Sequence, residues 1–282
     1  MPNARNVAIV GVGLIGGSIG LALRKRGLAG NVTGVGRNQA TLNKALAVGA
    51  IDRATTDLGE GVANAEVIVV ATPVDSIAEQ VCQVAAAAPL ARLITDAGST
   101  KGLICREVDA RLAGKSPNFV GSHPLAGDHR TGPENAREDL LEGRTVVVTP
   151  TKATSAEVLE IAREFWQSLG ATVHVMSPKE HDQALAATSH LPHLVASALA
   201  KCTAQEYLPL AATGWADTTR VAAGDAELWT QIFSQNLADM LPALDRLIAQ
   251  LQEMRAQMAT GEWSQLQKTL HQAKQIRDAL GN

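Results

Sequence analysis

Short apolar runs alternate with helix-periodic stretches along the chain as far as Val175. The runs predict strands over residues 6–10, 32–35, 66–71, 93–95, 118–120, 145–149 and 172–175. Alanine-rich helical stretches lie between them, such as residues 39–48, 76–88 and 155–169. Strand alternating with helix favours parallel pairing with right-handed crossovers. The pattern therefore predicts an α/β fold built on a doubly wound, mostly parallel sheet.

Helical periodicity replaces this pattern after Val175 and continues towards the C-terminus. In residues 225–260, leucine and isoleucine recur mostly at three- and four-residue steps, which predicts one long helix with a bend at Pro242. Residues 262–280 repeat the pattern and predict a further helix. We therefore expect an all-α domain to follow the α/β domain.

The boundary between the two domains is expected at Ser177, because Pro178 suits the first turn of a helix. This gives an α/β domain over residues 1–177 and a helical domain over residues 178–282. The helical domain presents more apolar helix surface than a segment of its length buries by itself, although a self-contained bundle is the alternative. We expect the chain to form a homodimer through this domain.

The composition narrows the class of protein. With 46% hydrophobic and 19% charged residues, the chain has ample apolar residues for a buried core and is not expected to be disordered. Its formal net charge of -3 gives no excess of basic surface, so we expect no binding to nucleic acid or anionic membranes. Cys82, Cys105 and Cys202 have no C-x-x-C spacing, which favours buried thiols in a reducing compartment over disulfides or a metal site.

An uncharged run over residues 7–23 lies between Arg5 and the basic Arg24-Lys25-Arg26, which superficially looks like a signal peptide or a membrane anchor. The run is shorter than the about 20 residues that a membrane-spanning helix needs, and five glycines interrupt it. No small-residue cleavage site follows it. We therefore expect a cytoplasmic protein that is not attached to a membrane.

The glycines of this run have a spacing of their own. The first predicted strand is followed by Gly11-Val12-Gly13-Leu14-Ile15-Gly16, a G-x-G-x-x-G pattern, and then by an apolar helical stretch. Gly11 allows a tight turn, Gly13 lets the backbone approach a pyrophosphate, and Gly16 permits close packing of helix on strand. Leu14 and Ile15 open the helix, whose unpaired N–H groups bind the anion. Strand, turn and helix in this order predict a Rossmann-like dinucleotide-binding domain.

The residues after the second strand bear on the choice of dinucleotide. An NAD-binding chain usually places Asp or Glu there, about 20 residues past the glycines, to hold the ribose hydroxyls. This chain has Gly36-Arg37-Asn38 instead. Without the carboxylate a 2′-phosphate is not repelled, and Arg37 can pair with it, although a solvated loop arginine is the alternative interpretation. We expect NADP to be favoured, with NAD as the other candidate.

Ligands of such sheets bind beyond the carboxyl ends of the strands, and three segments leave those ends with polar residues. They contain Thr72 and Pro73, Ser99, and His123. We expect Thr72 and Pro73 beside the dinucleotide. A nicotinamide enzyme removes a proton together with a hydride, so a base is expected here, and His123 lies just after the strand predicted over residues 118–120.

Two further clusters strengthen the case for His123. The segment Ser189-His190-Leu191-Pro192-His193 places a proline inside a helical region with polar groups around it. The segment Asp217-Thr218-Thr219-Arg220 places an arginine, which binds carboxylates in a bidentate manner, between helices. Polar or helical surroundings indicate only surface or core positions for His129, His174, His181 and His271.

Together these segments resemble the prephenate/arogenate dehydrogenases of tyrosine biosynthesis. The resemblance covers essentially the whole chain and rests on GxGLIG, DAGSTK, GSHPLAG, EHD, SHLPH, and DTTRVA followed by Trp229. A lone G-x-G-x-x-G matches many families, whereas GSHPLAG, SHLPH and DTTR in this order match very few. The resemblance implies NAD(P)-dependent oxidative decarboxylation of a cyclohexadienyl substrate. It also implies a Rossmann-like N-terminal domain and a helical, dimerising C-terminal domain.

The resemblance further implies roles for single residues. His123 is similar to the histidine that hydrogen-bonds the ring hydroxyl of the substrate and accepts its proton. Ser99 is similar to the serine that bridges this hydroxyl and the nicotinamide, and Arg220 to the arginine that binds the ring carboxylate. Ser189 and His193 match residues at the side-chain end of the substrate.

The remaining positions concern the dimer and the choice of substrate. Trp229 matches a tryptophan that reaches into the site of the neighbouring subunit. Ala216 stands where prephenate-using members often carry a lysine, which leaves room for arogenate. His129 stands where a glutamate often pairs with the arginine to gate the site, and the preceding Asp128 is an alternative residue for that pairing. We expect no separate regulatory domain after Asn282, and we therefore expect any inhibition by tyrosine to act at the active site.

Two other classes of protein are alternatives. Another NADP-dependent two-domain dehydrogenase, of the β-hydroxyacid dehydrogenase or imine reductase type, would share the architecture but not GSHPLAG and SHLPH. A catalytically silent dinucleotide-binding dimer that acts as a sensor would have no need of a base at His123. The motifs therefore favour the dehydrogenase of cyclohexadienyl substrates.

Overall fold

A computed structural model describes residues 4–113, 118–127 and 130–281. Eight strands of this part form one sheet, and they are β1 (Ala4–Val10), β2 (Ala29–Val35), β3 (Arg53–Thr55), β4 (Val67–Val70), β5 (Leu93–Asp96), β6 (Phe119–Pro124), β7 (Thr145–Thr149) and β8 (Thr172–Val175). The α-helices of the same part are α1 (Leu14–Lys25), α2 (Gln39–Ala47), α3 (Leu58–Val62), α4 (Val74–Ala87), α5 (Gly102–Arg111), α6 (Ala156–Ser168), α7 (Pro178–Leu185), α8 (Leu191–Cys202), α9 (Thr213–Thr219), α10 (Ala226–Gln235), α11 (Leu237–Thr260) and α12 (Trp263–Asp278). Short 3-10 turns cover Pro133–Asn135, Gln205–Leu210 and Arg220–Ala223, and a π-helical turn covers Ala186–His190.

The sheet has the strand order β3-β2-β1-β4-β5-β6-β7-β8. Every neighbouring pair is parallel except β6 and β7, which are antiparallel. Between these two strands the described chain contains only the 3-10 turn Pro133–Asn135, whereas parallel pairing requires a long crossover connection, usually a helix. The predicted doubly wound, mostly parallel α/β fold is confirmed.

Apolar side chains cover both faces of the sheet, because successive strand residues point to opposite faces. In β1, Val7 and Ile9 belong to the core on the side of α1, α2 and α6, whereas Ala8 and Val10 belong to the core on the side of α3, α4 and α5. Strands that are buried on both faces carry nearly continuous β-branched runs, such as VIVV in β4. The loops at the strand ends are therefore held on a rigid scaffold.

The structure differs from the sequence prediction at three elements. The strand predicted over residues 118–120 continues to Pro124 as β6, so His123 lies within the strand and not after it. The pattern does not predict β3, which has three residues, begins at the exposed Arg53 and lies at the edge of the sheet. The single helix predicted over residues 225–260 is wrong, because the chain leaves the helical conformation at Asn236 and Pro242 lies inside α11. The buried Asn236 side chain donates to the Asp182 carbonyl oxygen at 2.8 Å. This long-range hydrogen bond, which periodicity does not report, holds the break in place.

The chain divides by compactness into two units, one that ends at Asn236 and one that begins at Leu237. The first holds the sheet and α1 to α10, and the second holds α11 and α12. The domain boundary predicted at Ser177 lies earlier, at the start of α7, where Ser177 and Glu180 form a capping box around Pro178. That boundary stays a prediction. No helix in the described part is long and apolar enough to cross a membrane.

Candidate active site

The glycine turn between β1 and α1 has the stereochemistry that its spacing predicts. Gly11 has a φ of +94°, and a Cβ there would lie 2.5 Å from the Ala71 carbonyl oxygen. A Cβ on Gly16 would lie 2.0 Å from the Gly11 carbonyl oxygen, so turn and helix leave no room for a side chain. At Gly13, by contrast, no atom lies within 4 Å of the Cβ position. Gly13 therefore leaves an open space in which a ligand can approach the backbone.

The N-terminus of α1 is suited to an anion. No side chain caps this helix at Gly13, and its first turn contains no acidic residue. The N–H groups of the first turn, including those of Leu14 and Ile15, have no partner within the helix, and the helix dipole adds positive potential there. The pyrophosphate of a dinucleotide fits this set of donors and the open space at Gly13.

The glycine turn lies at the switch point of the sheet, because the strand order reverses between β1 and β4. Thr72 and Pro73 follow β4 at this crevice. A Cβ on Gly11 would lie 2.8 Å from Thr72 Cγ2. The Thr72 hydroxyl donates to Gln80 Oε1 at 2.6 Å, and Pro73 is the residue before α4. Both residues that the sequence placed beside the dinucleotide thus border the crevice.

Arg37 lies just beyond the carboxyl end of β2. This strand ends at Val35, whose carbonyl oxygen accepts a hydrogen bond of 2.8 Å from the Gly11 N–H. Arg37 is exposed and forms no ion pair with a residue that the structure describes. Asn38 caps α2 by accepting two backbone N–H bonds. A cation therefore lies beside the glycine turn, in the segment where many NAD-binding chains have a carboxylate.

His123, near the end of β6, is bound by a second histidine that belongs to α7. The His123 Nδ1 atom lies 2.8 Å from His181 Nε2, and the two rings meet edge to face at a centroid distance of 5.1 Å. His181 Nδ1 lies 2.8 Å from Asp182 Oδ1. Among the described residues, no partner binds His123 Nε2. His123, His181 and Asp182 thus form a single file of hydrogen bonds, which we call the His–His–Asp chain.

The start of α5 binds Asp182, the carboxylate of the His–His–Asp chain. Asp182 Oδ1 accepts from the Lys101 N–H and Oδ2 from the Gly102 N–H, both at 2.8 Å. A Cβ on Gly102 would lie 2.6 Å from Asp182 Oδ2, so this approach requires a glycine. The fully buried Lys101 side chain pairs with Asp96, which also accepts a bond of 3.0 Å from the Ser122 N–H. The ends of β5 and β6 and the starts of α5 and α7 are therefore joined.

Burial keeps the histidines of the site neutral. Burial, followed by the proximity of His181 and Lys101, holds the pKa of His123 well below 6.5. Burial also lowers the pKa of His181 against the opposing hydrogen bond to Asp182, and it lowers the pKa of His190 to about 4. Burial opposes ionisation of Asp182, yet the hydrogen bonds from His181 and the Lys101 backbone lower its pKa. At neutral pH, an unprotonated histidine base is therefore linked to an ionised carboxylate.

A π-helical turn carries the predicted Ser189. Pro192, in the first turn of α8, cannot donate a hydrogen bond to the carbonyl four residues earlier, and its ring needs room there. The wider turn Ala186–His190 provides that room, and such turns often occur at functional sites. Ser189 is half-buried on it, whereas His190 is buried with its Nδ1 3.1 Å from Asn236 Nδ2.

His193 and Trp229 lie face to face. Their ring centroids are 3.6 Å apart and their planes differ by 22°. A Cβ on Gly224 would lie 2.8 Å from His193 Nε2 and 2.5 Å from Trp229 Nε1, so a glycine permits this stack. Trp229 thus contacts His193 of its own chain. Its predicted reach into the site of a neighbouring subunit stays a prediction.

Ser99 and Arg220 lie on two other segments of the same unit. Ser99 is half-buried in the loop between β5 and α5. Its neighbour Thr100 donates to Gln235 Oε1 at 2.6 Å, which joins this loop to the end of α10. Arg220 begins a 3-10 turn that packs beside α8, and it is exposed without an ion pair to any described residue. No described hydrogen bond links Ser99, Ser189 or Arg220 to His123.

Two residues of the His–His–Asp chain were missed by the sequence interpretation. Sequence patterns indicate only a surface or core position for His181 and only a helix start for Asp182. The one available signal was the EHD motif of the family pattern. Asp128 and His129 lie outside the described residues. In the part of the chain that the structure describes, no three side chains of His, Cys, Asp or Glu form a group that could hold a metal ion.

Two models of one family match the chain. Residues 19–175 match the model described as prephenate dehydrogenase, nucleotide-binding domain, and residues 177–272 match prephenate dehydrogenase, dimerization domain. The chain is 30% identical to the cyclohexadienyl dehydrogenase of Zymomonas mobilis over 98% of its own length and 96% of that protein. The solved structure of A. aeolicus prephenate dehydrogenase, in complex with hydroxyphenyl propionate and NAD+, has a TM-score of 0.89 and 31% identity and covers 98% of each chain. Synechocystis arogenate dehydrogenase has a TM-score of 0.83 and 31% identity over 98% of this chain and 99% of that one.

Proposed function

Because this chain belongs to the prephenate dehydrogenase family, we propose that it oxidises and decarboxylates prephenate or arogenate with His123 as the base. The resemblance inferred from the motifs is confirmed, and the chain is an oxidoreductase that uses a nicotinamide dinucleotide. One observation carries the choice of base. His123 lies at the carboxyl end of β6, its Nδ1 is bound by His181, and its Nε2 has no partner among the described residues.

The proton transfer follows from the position of His123. Its Nε2 accepts the proton of the ring hydroxyl while the hydrogen on the same ring carbon leaves as a hydride. A bound nicotinamide dinucleotide supplies the hydride acceptor. The hydroxyl carbon becomes a carbonyl, and the bond between the ring and its carboxylate breaks to release CO2. The electron pair of that bond enters the ring, which becomes aromatic, and the oxygen regains a proton. Ser99, in the loop after β5, contributes a hydroxyl that bridges substrate and cofactor.

Arg220 binds the ring carboxylate in this proposal. Its guanidinium is exposed and is not paired with any described carboxylate, so it is available for a bidentate contact. The contact must orient the carboxylate without over-stabilising its charge, since that charge is lost when CO2 leaves. Ser189 and His193, from the π-helical turn and α8, contact the side-chain end of the substrate.

Replacement of Arg220 by Ala is expected to raise the KM for the substrate by roughly 10- to 150-fold, because a hydrogen bond to a charged group contributes about 1.5–3 kcal/mol. Steady-state kinetics at saturating cofactor measure this change, and kcat should change less. Arg163→Ala removes another exposed arginine, on α6, and is the matched control. An unchanged KM in Arg220→Ala would remove Arg220 from substrate binding.

We propose that NADP is the preferred dinucleotide. The exposed Arg37 beside the glycine turn supports this preference, together with the absence of a carboxylate from residues 36–38. NAD binds with the same pyrophosphate contacts but without a 2′-phosphate for Arg37. The difference in affinity between the two dinucleotides therefore depends chiefly on this side chain.

Arg37→Ala is expected to weaken NADP binding by roughly 10- to 150-fold through loss of the charged contact, with little effect on NAD. Titration of the protein with each dinucleotide gives both dissociation constants. Arg53→Ala is the matched control, because Arg53 is also exposed but lies at the start of β3, where it pairs with Thr33 inside β2 and not with the residues that follow this strand. Equal losses for NADP and NAD would show that Arg37 does not recognise the 2′-phosphate.

We also propose that the chain forms a homodimer through a helical domain over residues 178–282, after a dinucleotide-binding domain over residues 1–177. Residues 177–272 match the dimerization domain of the family. Apolar side chains on α11 and α12 are largely exposed in the single chain, among them Leu241, Leu251, Met258, Trp263, Leu270 and Ile276. An apolar surface of this extent is typical of a protein interface.

A cytoplasmic location is proposed on two grounds. Cys82, Cys105 and Cys202 are free thiols, as is usual for a protein in a reducing compartment, although only Cys105 of the three is buried as the sequence predicts. The net charge of -3 gives no excess of basic residues for an anionic membrane surface.

The proposed reaction is tested by side-by-side kinetics with prephenate and arogenate, each with NAD and with NADP. The absorbance of the reduced nicotinamide reports turnover. We expect reduced cofactor with at least one of the two substrates and a higher kcat/KM with NADP. Absence of reduced cofactor in all four combinations would overturn the proposed function. The ratio of kcat/KM for prephenate to kcat/KM for arogenate shows which substrate is preferred by a protein with Ala216 in place of the lysine.

A further inference from the structure

The His–His–Asp chain contains a fixed order of donors and acceptors. His123 Nδ1 and His181 Nε2 share one hydrogen bond of 2.8 Å, and His181 Nδ1 and Asp182 Oδ1 share another of 2.8 Å. His181 is fully buried and Asp182 is 4% exposed, so water does not substitute for these partners. The order in which protons sit along the chain must therefore be set by the three side chains themselves.

Asp182 sets that order. Its carboxylate accepts hydrogen bonds from two backbone N–H groups at the start of α5, and an ionised carboxylate can only accept. His181 Nδ1 must therefore carry the proton of the bond to Asp182. A neutral imidazole has one N–H, so His181 Nε2 is an acceptor. The bond between the two rings then requires a proton on His123 Nδ1, which leaves His123 Nε2 unprotonated.

The charged groups around the rings keep both of them neutral. The buried Lys101 ammonium lies near His123 and His181 and disfavours a positive charge on either ring. His190, from the π-helical turn, also lowers the pKa of His123, after burial, His181 and Lys101. Asp96 and Asp182 favour protonation of His181, but burial outweighs them and its pKa is lowered. Both rings are therefore neutral at neutral pH, and each carries a single N–H.

We propose that His181 and Asp182 are positioning residues that hold His123 in the tautomer whose Nε2 is free to accept the proton of the substrate. This inference rests on the proposed role of His123 as the base. A free imidazole in water populates both tautomers, and one with a proton on Nε2 could not act as the base at that atom. The His–His–Asp chain therefore keeps His123 oriented, with its Nε2 unprotonated, before the substrate binds.

The His–His–Asp chain also acts after the proton has been transferred to His123. The hydroxyl proton moves to His123 Nε2, and the ring then carries a positive charge with a proton on each nitrogen. Its Nδ1–H still donates to His181 Nε2, and the negative charge of Asp182 lies one ring further along. No second proton needs to move, so the step is balanced by the single proton that the hydroxyl loses. The favourable charge arrangement develops as the proton is transferred, which is when it contributes to the rate.

Two substitutions of His181 separate positioning from packing. An asparagine amide occupies the place of Nδ1 and can still bind Asp182, but it does not extend to His123. A glutamine amide extends to the place of Nε2 and can accept from His123 Nδ1. We expect His181→Asn to lower kcat on the order of 10²-fold with the substrate KM nearly unchanged, and His181→Gln to recover much of the lost turnover.

The decisive readout is the tautomer of His123 in the free protein, from the nitrogen chemical shifts of its imidazole by NMR at neutral pH. His123→Asn identifies the signals by their loss. We expect Nδ1 protonated and Nε2 unprotonated in the unsubstituted protein, and a mixture with the Nε2-protonated form in His181→Asn. A protonated Nε2 in the unsubstituted protein, or the same tautomer in His181→Asn with unchanged kcat, would overturn the inference. Full activity of His123→Asn would instead overturn the base assignment, so the two failures are distinguishable.

Discussion

Replacing His123 with Asn is expected to lower kcat by roughly 10²–10⁴-fold, because a positioned general base contributes about that factor. Asparagine can still accept and donate hydrogen bonds near His181, but it cannot take the hydroxyl proton at neutral pH. Hydride departure would then leave the proton on the developing carbonyl oxygen. Initial rates at saturating substrate and cofactor give the ratio.

The fall in kcat must come from the chemical step and not from weaker binding of the dinucleotide. Dinucleotide binding by His123→Asn should be close to that of the unsubstituted protein, since the glycine turn is a separate feature of the sheet edge. His174→Asn, which changes an exposed histidine in β8, is the matched control and should keep full turnover. Retention of full turnover by His123→Asn would exclude His123 as the base.

The second large effect is expected from two alanine substitutions in the glycine turn, which should act on different properties. A methyl group at Gly13 meets no protein atom within 4 Å, so Gly13→Ala should fold with little change in Tm. It fills the space where the pyrophosphate approaches the backbone. We expect dinucleotide affinity to fall by about 5- to 150-fold, which corresponds to about 1–3 kcal/mol of overpacking against the ligand.

Gly16→Ala should instead damage the fold. Its Cβ would lie 2.0 Å from the Gly11 carbonyl oxygen, a backbone atom that cannot move without shifting the turn. The free energy of unfolding should fall by about 1–3 kcal/mol, and the dinucleotide should bind more weakly as well. Thermal unfolding and dinucleotide titration of both variants measure the two properties. If Gly13→Ala bound the dinucleotide normally, the pyrophosphate would not lie at this turn.

The glycine turn could be predicted from sequence because its function is encoded locally. The conformation of Gly11 and the close approach of Gly16 both depend on residues within one strand, one turn and one helix. His123 could be selected as a candidate base for a similar reason, since a polar residue at the carboxyl end of a buried strand faces the ligand edge of such a sheet. Spacing along the chain is sufficient information in both cases.

The rest of the site depends on contacts between distant parts of the chain. His181 lies 58 residues from His123 and appears in the sequence as part of a helix start with a capping box. Its contact with His123 arises only because α7 packs on α5 beside the sheet edge. The same holds for Lys101, whose complete burial with Asp96 no local pattern indicates. Long-range packing, which periodicity does not encode, set these positions.

Long-range packing also explains the difference between the single helix predicted over residues 225–260 and the two helices observed there. Apolar periodicity runs through residues 225–260 without interruption, so it predicts one helix and offers Pro242 as the point of bending. The structure breaks the helix at Asn236 because that side chain is buried and donates to Asp182 at 2.8 Å. A proline's effect is local and visible in sequence, whereas the partner of a buried amide is not.

In the proposed reaction, the protein couples hydride transfer to decarboxylation of a cyclohexadienyl substrate. Reduced cofactor and CO2 are measured together during one reaction of the purified protein with prephenate and with arogenate. We predict one CO2 for each reduced cofactor with at least one substrate, and formation of both products roughly 10²–10⁴-fold more slowly with His123→Asn. Reduced cofactor without CO2, or no reduced cofactor with either substrate, would contradict the account.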